Sequence, residues 1–220
     1  TIAGKPAVVI AIEGTFQGGS MGEVSGAKMA AALELAAEDN RKGIPTQAVL
    51  CLETGGVRLQ EANLGLAAIA DIHAAIVDLR RYVPVIGIVA GTVGCFGGMS
   101  IAAALCSYLI VTREARLGLN GPQVIEQEAG IDEYDSRNRP FIWSLTGGEA
   151  RERNGFVDKL VDDSLAAVKA ATVECMEKGK PASLRNERYD EFLTRLNAFD
   201  TRQQADAKLT AELFAKGNRS

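Results

Sequence analysis

Residues 83–106 read VPVIGIVAGTVGCFGGMSIAAALC, and the fold is decided there. Val83, Val85, Ile86, Ile88 and Val89 form a β-branched run without polar interruption, the pattern of a strand covered on both faces. Gly91, Gly94, Gly97 and Gly98 then allow a tight bend, and from Met99 the chain reads as an apolar helix. With Gly98 in the first helical turn, unbonded N–H groups and the positive end of the helix dipole face outward and attract a negative oxygen. The spacing is neither G-x-G-x-x-G nor G-x-x-x-x-G-K-[ST], so no nucleotide fingerprint is met. Close helix–strand packing is an equally good use for these glycines.

The same grammar repeats on either side. Val8–Ile12 is a short strand that ends in the loop Phe16-Gln17-Gly18-Gly19-Ser20-Met21-Gly22. Met29, Ala32, Leu33, Ala36 and Ala37 then give helical spacing over about residues 24–41, closed by Gly43 and Pro45. Ala48–Leu52 is a second buried strand, and it runs into Gly55-Gly56. Ala68, Ile69, Ile72, Ile76 and Leu79 mark a helix over 63–81. After the glycine turn, Tyr108–Thr112 reads as a strand, Ala115–Leu119 as a shorter one, and 126–139 as a polar surface loop. Glu149–Asn154 is a short helix and Val157–Val161 a last strand. Two further helices carry Leu165, Val168, Thr172 and Cys175, then Phe192, Leu196 and Phe199. Strand–helix alternation with short turns implies parallel strands and crossover helices, an α/β fold. The late helices find no strand left to cover and are expected along an edge or against a partner. One domain over 1–220 is expected, with 163–220 a helical C-terminal extension.

Composition removes several function classes. A net charge of -4 over 220 residues supplies no basic field for nucleic acid or an anionic membrane. No uninterrupted apolar run reaches the ~18 residues of a membrane span. Cys51, Cys95, Cys106 and Cys175 contain no C-x-x-C pair, which points to reduced thiols in a cytoplasmic protein and away from structural zinc. We expect no metal site, and the missing initiator methionine leads us to expect residues before Thr1.

Gly55-Gly56 and Gly97-Gly98 each follow a buried strand, so both turns belong at the carboxyl ends of parallel strands. Facing one another, their N–H groups would form an oxyanion hole for a thioester enolate or a tetrahedral intermediate, each donor being worth on the order of 3 kcal/mol. Arg58 is placed to bind a carboxylate or phosphate, or to pair with Glu61. Gly18 and Gly19 line an acyl-thioester path or cap the next helix. Glu126 orients substrate or is solvated. His73 lies beside the Ile69–Ile76 stripe, where a backbone hydrogen bond is its default role. A serine peptidase would need His73 and an acid brought to Ser100.

Four blocks, AVVIAIEGTFQGGSMGEVSGAKMAAALELA (7–36), LETGGVRLQEA (52–62), GTVGCFGGMSIAAALCSYLIV (91–111) and RLGLNGPQVIEQEAG (116–130), resemble in order the carboxyltransferase-type subunits of the crotonase superfamily. Residues 52–87 and 121–132 look most like β subunits of malonate decarboxylases, the resemblance running from Thr1 to about Asp162. It implies a crotonase-like spiral of repeated β-β-α units with a mostly parallel sheet. It also implies a decarboxylase of a malonyl thioester, giving the acetyl thioester and CO₂ by way of an enolate. The thioester is carried on a dephospho-coenzyme A-derived prosthetic group of an acyl-carrier subunit, so this chain binds no cofactor itself. A γ subunit of related fold is the implied partner. Carried over by position, the oxyanion pairs fall on Gly55-Gly56 and Gly97-Gly98. Transfer of the carboxyl group to biotin on another protein, and a non-catalytic assembly role, are the alternatives.

Overall fold

In the computed structural model, which describes residues 1–214, five strands form one wholly parallel sheet in the order β1-β2-β3-β4-β5. They are β1 (Ala7–Ala11), β2 (Gln47–Cys51), β3 (Val85–Val89), β4 (Tyr108–Thr112) and β5 (Lys159–Val161). Each strand pairs with the next, Val49 opposite Ile86 and Ile88 opposite Ile110, so every connection is a crossover. A strand order that never reverses puts all right-handed crossover helices on one face and makes the chain a spiral. On that face lie α1 (Glu23–Arg41), α2 (Ala62–Leu79) and α3 (Gly98–Leu105). Leu33, Ile72, Ile76, Met99 and Ala103 from these helices pack on Leu50, Val85, Val89 and Leu109.

The opposite face would be left wet by this topology. It is covered by α7 (Leu165–Lys178), whose Ala171, Cys175 and Met176 are buried on Val49, Ile86, Ile88 and Ile110. The expectation that the late helices have no strands to cover is therefore corrected for α7. Strand faces alternate, so a run buried at every position, as β3 is, requires a second layer. Further on, α8 (Tyr189–Asn197) and α9 (Ala207–Phe214) bring Phe192 and Phe214 within 5.1 and 5.0 Å of the Phe156 ring.

Three other expectations change. Residues 115–119 form no strand; Leu117 and Arg116 make single bridges to Cys95 and Gly147. The 126–139 segment is not all loop. It contains the second half of α4 (Pro122–Ala129) and leads into α5 (Arg139–Thr146), whose N-cap Asn138 accepts the Phe141 N–H at 3.2 Å. α6 (Gly148–Arg153) follows. Residues 59–79, a 3-10 turn (Leu59–Glu61) followed by α2, are together long and apolar enough by composition to cross a bilayer, a property that a search for uninterrupted apolar runs misses. Here its Ile69, Ile72, Ile76 and Leu79 are buried in the core shared with α1 and α3.

Candidate oxyanion site

After leaving β2, β3 and β4 the chain makes one more parallel bridge before turning into a helix, Thr54 to Cys95 and Cys95 to Leu117, with Met21 to Val57 alongside. This one-residue-wide ladder is the second strand of each β-β-α unit, reduced to its minimum. Thr54 donates to Gly94 O at 2.7 Å, Phe96 to Thr54 O at 3.0 Å and Cys95 to Arg116 O at 2.9 Å. Thr54 and Cys95 are fully buried, so these bonds have no competition from water. The ladder sets the two glycine turns against each other. A β-carbon built on Gly56 would lie 3.3 Å from the Gly97 Cα, and one built on Gly97 would lie 3.2 Å from the Gly56 Cα. Both glycines also have positive φ, 106° and 62°. Only glycine satisfies the conformation and the contact together.

The amides of these turns are not equivalent. Gly55 donates to Gly18 O at 2.8 Å, Gly56 to Thr54 Oγ1 at 3.1 Å, and Gly97 to Leu119 O at 2.7 Å. The Val57 and Gly98 N–H groups have no acceptor among the described residues. They are neighbours, since a β-carbon on Gly97 would sit 3.8 Å from the Val57 nitrogen. Gly98 is also the first residue of α3, with the dipole of that helix behind its N–H. Two unbonded donors at the meeting point of two turns can hold one oxygen that carries negative charge. Val57 was missed from the sequence because a backbone amide has no side-chain signature. The Gly55-Gly56 pair gave its neighbourhood and not its position.

Ser100 Oγ donates to Gly97 O at 2.7 Å, while His73 Nε2 donates to Gly98 O at 2.8 Å. Each braces the turn through a different carbonyl, and neither bonds the other, so the geometry contains no serine–histidine dyad. His73 thus takes the backbone bond expected of it. Burial of Cys95 beside the turn pushes its thiol far above the usual range, which leaves it no thiolate for nucleophilic work.

Gly18 and Gly19 are brought to the same place. Besides the Gly18–Gly55 bond, Met21 donates to Gly56 O at 2.7 Å and accepts from the Arg58 N–H at 2.8 Å. A β-carbon on Gly19 would be 2.0 Å from Glu53 O, which closes that position to any side chain. Arg58 lines an open cleft of about 810 Å³ together with Gln17, Gly18, Ser20 and Gly55. Its guanidinium is engaged, with Glu61 at 2.6 Å, Ser20 O at 2.9 Å and Ser20 Oγ at 3.2 Å. Glu61 in turn accepts the first N–H of α1, from Glu23, at 2.6 Å. That backbone bond, ahead of Arg58, holds the Glu61 carboxyl below its ordinary pKa. Glu126 is not drawn into the turns by any hydrogen bond. It sits on α4 and accepts the Ser136 N–H at 2.6 Å, and bonds to Ser136 lower its pKa. Among the described residues, no group of three His, Cys, Asp or Glu is placed to hold a metal.

A spiral of parallel strands whose glycine turns meet around two unbonded amides defines the crotonase-like, carboxyltransferase-type fold. Residues 1–187 match the carboxyl transferase domain family, and the chain belongs to it. It is 41% identical over 187 residues to the malonyl-S-ACP:biotin-protein carboxyltransferase MADC of Malonomonas rubra, a match taking in 80% of this chain and 59% of that one. The chain therefore spans about three fifths of that relative's length. A chain of a Pseudomonas malonate decarboxylase hetero-tetramer, solved in complex with malonate, is 66% identical, with a TM-score of 0.94 over 97% of this chain and 78% of that one. A chain of the Pseudomonas MdcD-MdcE hetero-dimer is 64% identical, with a TM-score of 0.82 over 89% and 82%.

Proposed function

We propose that this chain is the β subunit of a biotin-independent malonate decarboxylase, acting in the cytoplasm on a malonyl thioester. The observation that carries the reading is the pair of unbonded amides, Val57 and Gly98, at the junction of the two glycine turns. The 66% identity to a malonate decarboxylase chain supports the choice of substrate class. With the thioester oxygen held by these amides, the C–CO₂ bond breaks and its electron pair enters the carbonyl, giving an enolate and CO₂. Protonation at carbon then yields the acetyl thioester. Loss of one donor of this kind costs on the order of 3 kcal/mol. The thioester is delivered on the dephospho-coenzyme A-derived arm of an acyl-carrier subunit, and a γ subunit of related fold is the standing partner. Gly18 and Gly19 shape the approach to the site. Arg58, with its contacts to Glu61 and Ser20, holds that loop in place.

The second reading is carboxyl transfer from the same enolate chemistry to biotin on another protein, favoured by the likeness to the Malonomonas rubra relative. The test is CO₂ and acetyl-thioester production from a ¹⁴C-malonyl thioester by this chain co-purified with its partners, with and without avidin. Avidin-resistant turnover is expected. Complete inhibition by avidin would replace the decarboxylase with the carboxyltransferase, and no turnover would leave an assembly subunit.

A further inference from the structure

A cavity of about 350 Å³ runs along α3, from its first turn at Ser100 to its end at Leu105. Its wall is almost wholly apolar, built from residues such as Ile101, Leu109, Leu117 and Phe192. Two guanidinium groups interrupt it. Arg185, at the far end, is neutralised by an ion pair with Asp158. Arg151, beside Gly118 and Leu119, is not: among the described residues no carboxylate bonds to it. Its Nε donates to Leu117 O at 2.7 Å and its head lies over the Phe156 ring at 5.4 Å. Neither Nη group has an acceptor among the described residues. The Tyr134 phenol, buried with its hydroxyl unpartnered among the described residues, is a neighbour whose field favours the charge, and burial pulls the Arg151 pKa down to about 10. A half-buried guanidinium whose two Nη groups open on the cavity, with no carboxylate bonded to it among the described residues, is placed to take an anion that enters from outside.

The position of Arg151 indicates which anion. A β-carbon built on Gly118 would lie 3.7 Å from Arg151 Nη2 and 3.6 Å from the Phe96 ring, and the next residue, Leu119, accepts the Gly97 N–H. The guanidinium is thus tied to the oxyanion turn through Leu119, and its cavity, distinct from the cleft that Val57 lines, reaches the first turn of α3 at Ser100. We infer that Arg151 binds the free carboxylate of the malonyl thioester, and so separates malonyl from acetyl thioesters. This rests on the decarboxylase reading above. A planar two-N–H fork grips a carboxylate in a fixed orientation. With the thioester oxygen fixed by Val57 and Gly98, that grip holds the C–CO₂ bond out of the thioester plane, where its electrons can pass into the carbonyl. Once CO₂ has formed its charge is gone, the hold of Arg151 weakens, and the product leaves.

The experiment uses the co-purified complex and two constants, KM for malonyl-pantetheine and the inhibition constant of acetyl-pantetheine. Arg151→Gln keeps an N–H donor for Leu117 O but loses the charge. It is expected to raise the malonyl KM about tenfold to a hundredfold, the loss that follows from removing a charged hydrogen bond, and to leave the acetyl constant unchanged. Arg151→Lys should recover part of the loss. The inference is overturned when the two constants move together or when neither moves. If Arg151→Gln does not assemble, the lysine variant decides by the same criterion. Absence of CO₂ release from the wild-type complex is a separate result, which defeats the decarboxylase reading and this inference with it.

Discussion

At Gly98 the structure makes the functional argument testable one atom at a time. A side chain there meets Ile69 Cγ2, 2.9 Å from the built β-carbon, so any substitution carries a packing cost. Gly98→Ala has that cost and keeps the N–H. Gly98→Pro has it too, loses the N–H, and sits at the first helical position where proline is tolerated. Decarboxylation by the proline variant should fall about 10²–10³-fold below the alanine variant, with heteromer assembly equal by size-exclusion chromatography. Equal rates would remove Gly98 from the oxyanion hole. The glycine pairs were legible in the sequence as bends after buried strands. Which amides stay unbonded was not, because the acceptors of the others, Gly18 O and Leu119 O, come from distant segments.

At the scale of elements, the strand and helix pattern up to Thr112 could be read from periodicity, and the boundaries moved by a residue or two. The misreadings cluster where tertiary partners replace local pattern. α4 has few apolar positions, and α5, with Phe141, Ile142, Trp143 and Leu145 in eight residues, is too short for its apolar run to show a helical period. α7 was read as a helix, but its target was hidden, since periodicity does not say which sheet face a later helix will cover. The α7–β5 contact has its own clip, Glu174 to Lys159 at 2.5 Å and to Lys178 at 2.8 Å. The hydrogen bonds to Lys159 and then Lys178 hold the Glu174 pKa at about 2. A depressed carboxylate pKa stabilises the fold above the unfolded value of about 4.3, and that contribution disappears as the pH falls to about 2. Glu174→Gln should therefore lower the thermal midpoint at pH 6 and converge with wild type near pH 2. Because Glu174 is exposed, added salt should shrink the gap. A constant gap across that range would refute the assignment.

For the whole molecule, the two-sided core makes a prediction about its thiols. Cys95, Cys106 and Cys175 lie in the apolar layers, where burial pushes Cys106 to about 12 and Cys175 to about 11, and Cys95 higher still. Cys51 is raised less and is only partly buried. Under native conditions at neutral pH, a thiol reagent should label Cys51 first, with the other three appearing together only on unfolding. Rapid native labelling of Cys95 would mean that the ladder beneath the oxyanion turns opens, and with it the site.

The sequence by itself determined the parallel α/β class, the helices that carry the core, the two glycine bends and the likeness to carboxyltransferase-type subunits. Those properties follow from side-chain period and from the conformations that only glycine permits. The tertiary structure decided which face α7 closes, that Arg58 is held by Glu61, and that, among the described residues, the Val57 and Gly98 amides stay unbonded and Arg151 near Leu119 has no carboxylate partner. Each of these depends on what residues far apart in the chain leave satisfied or unsatisfied, and hydrogen-bond and charge balance exist only once the spiral has brought them together.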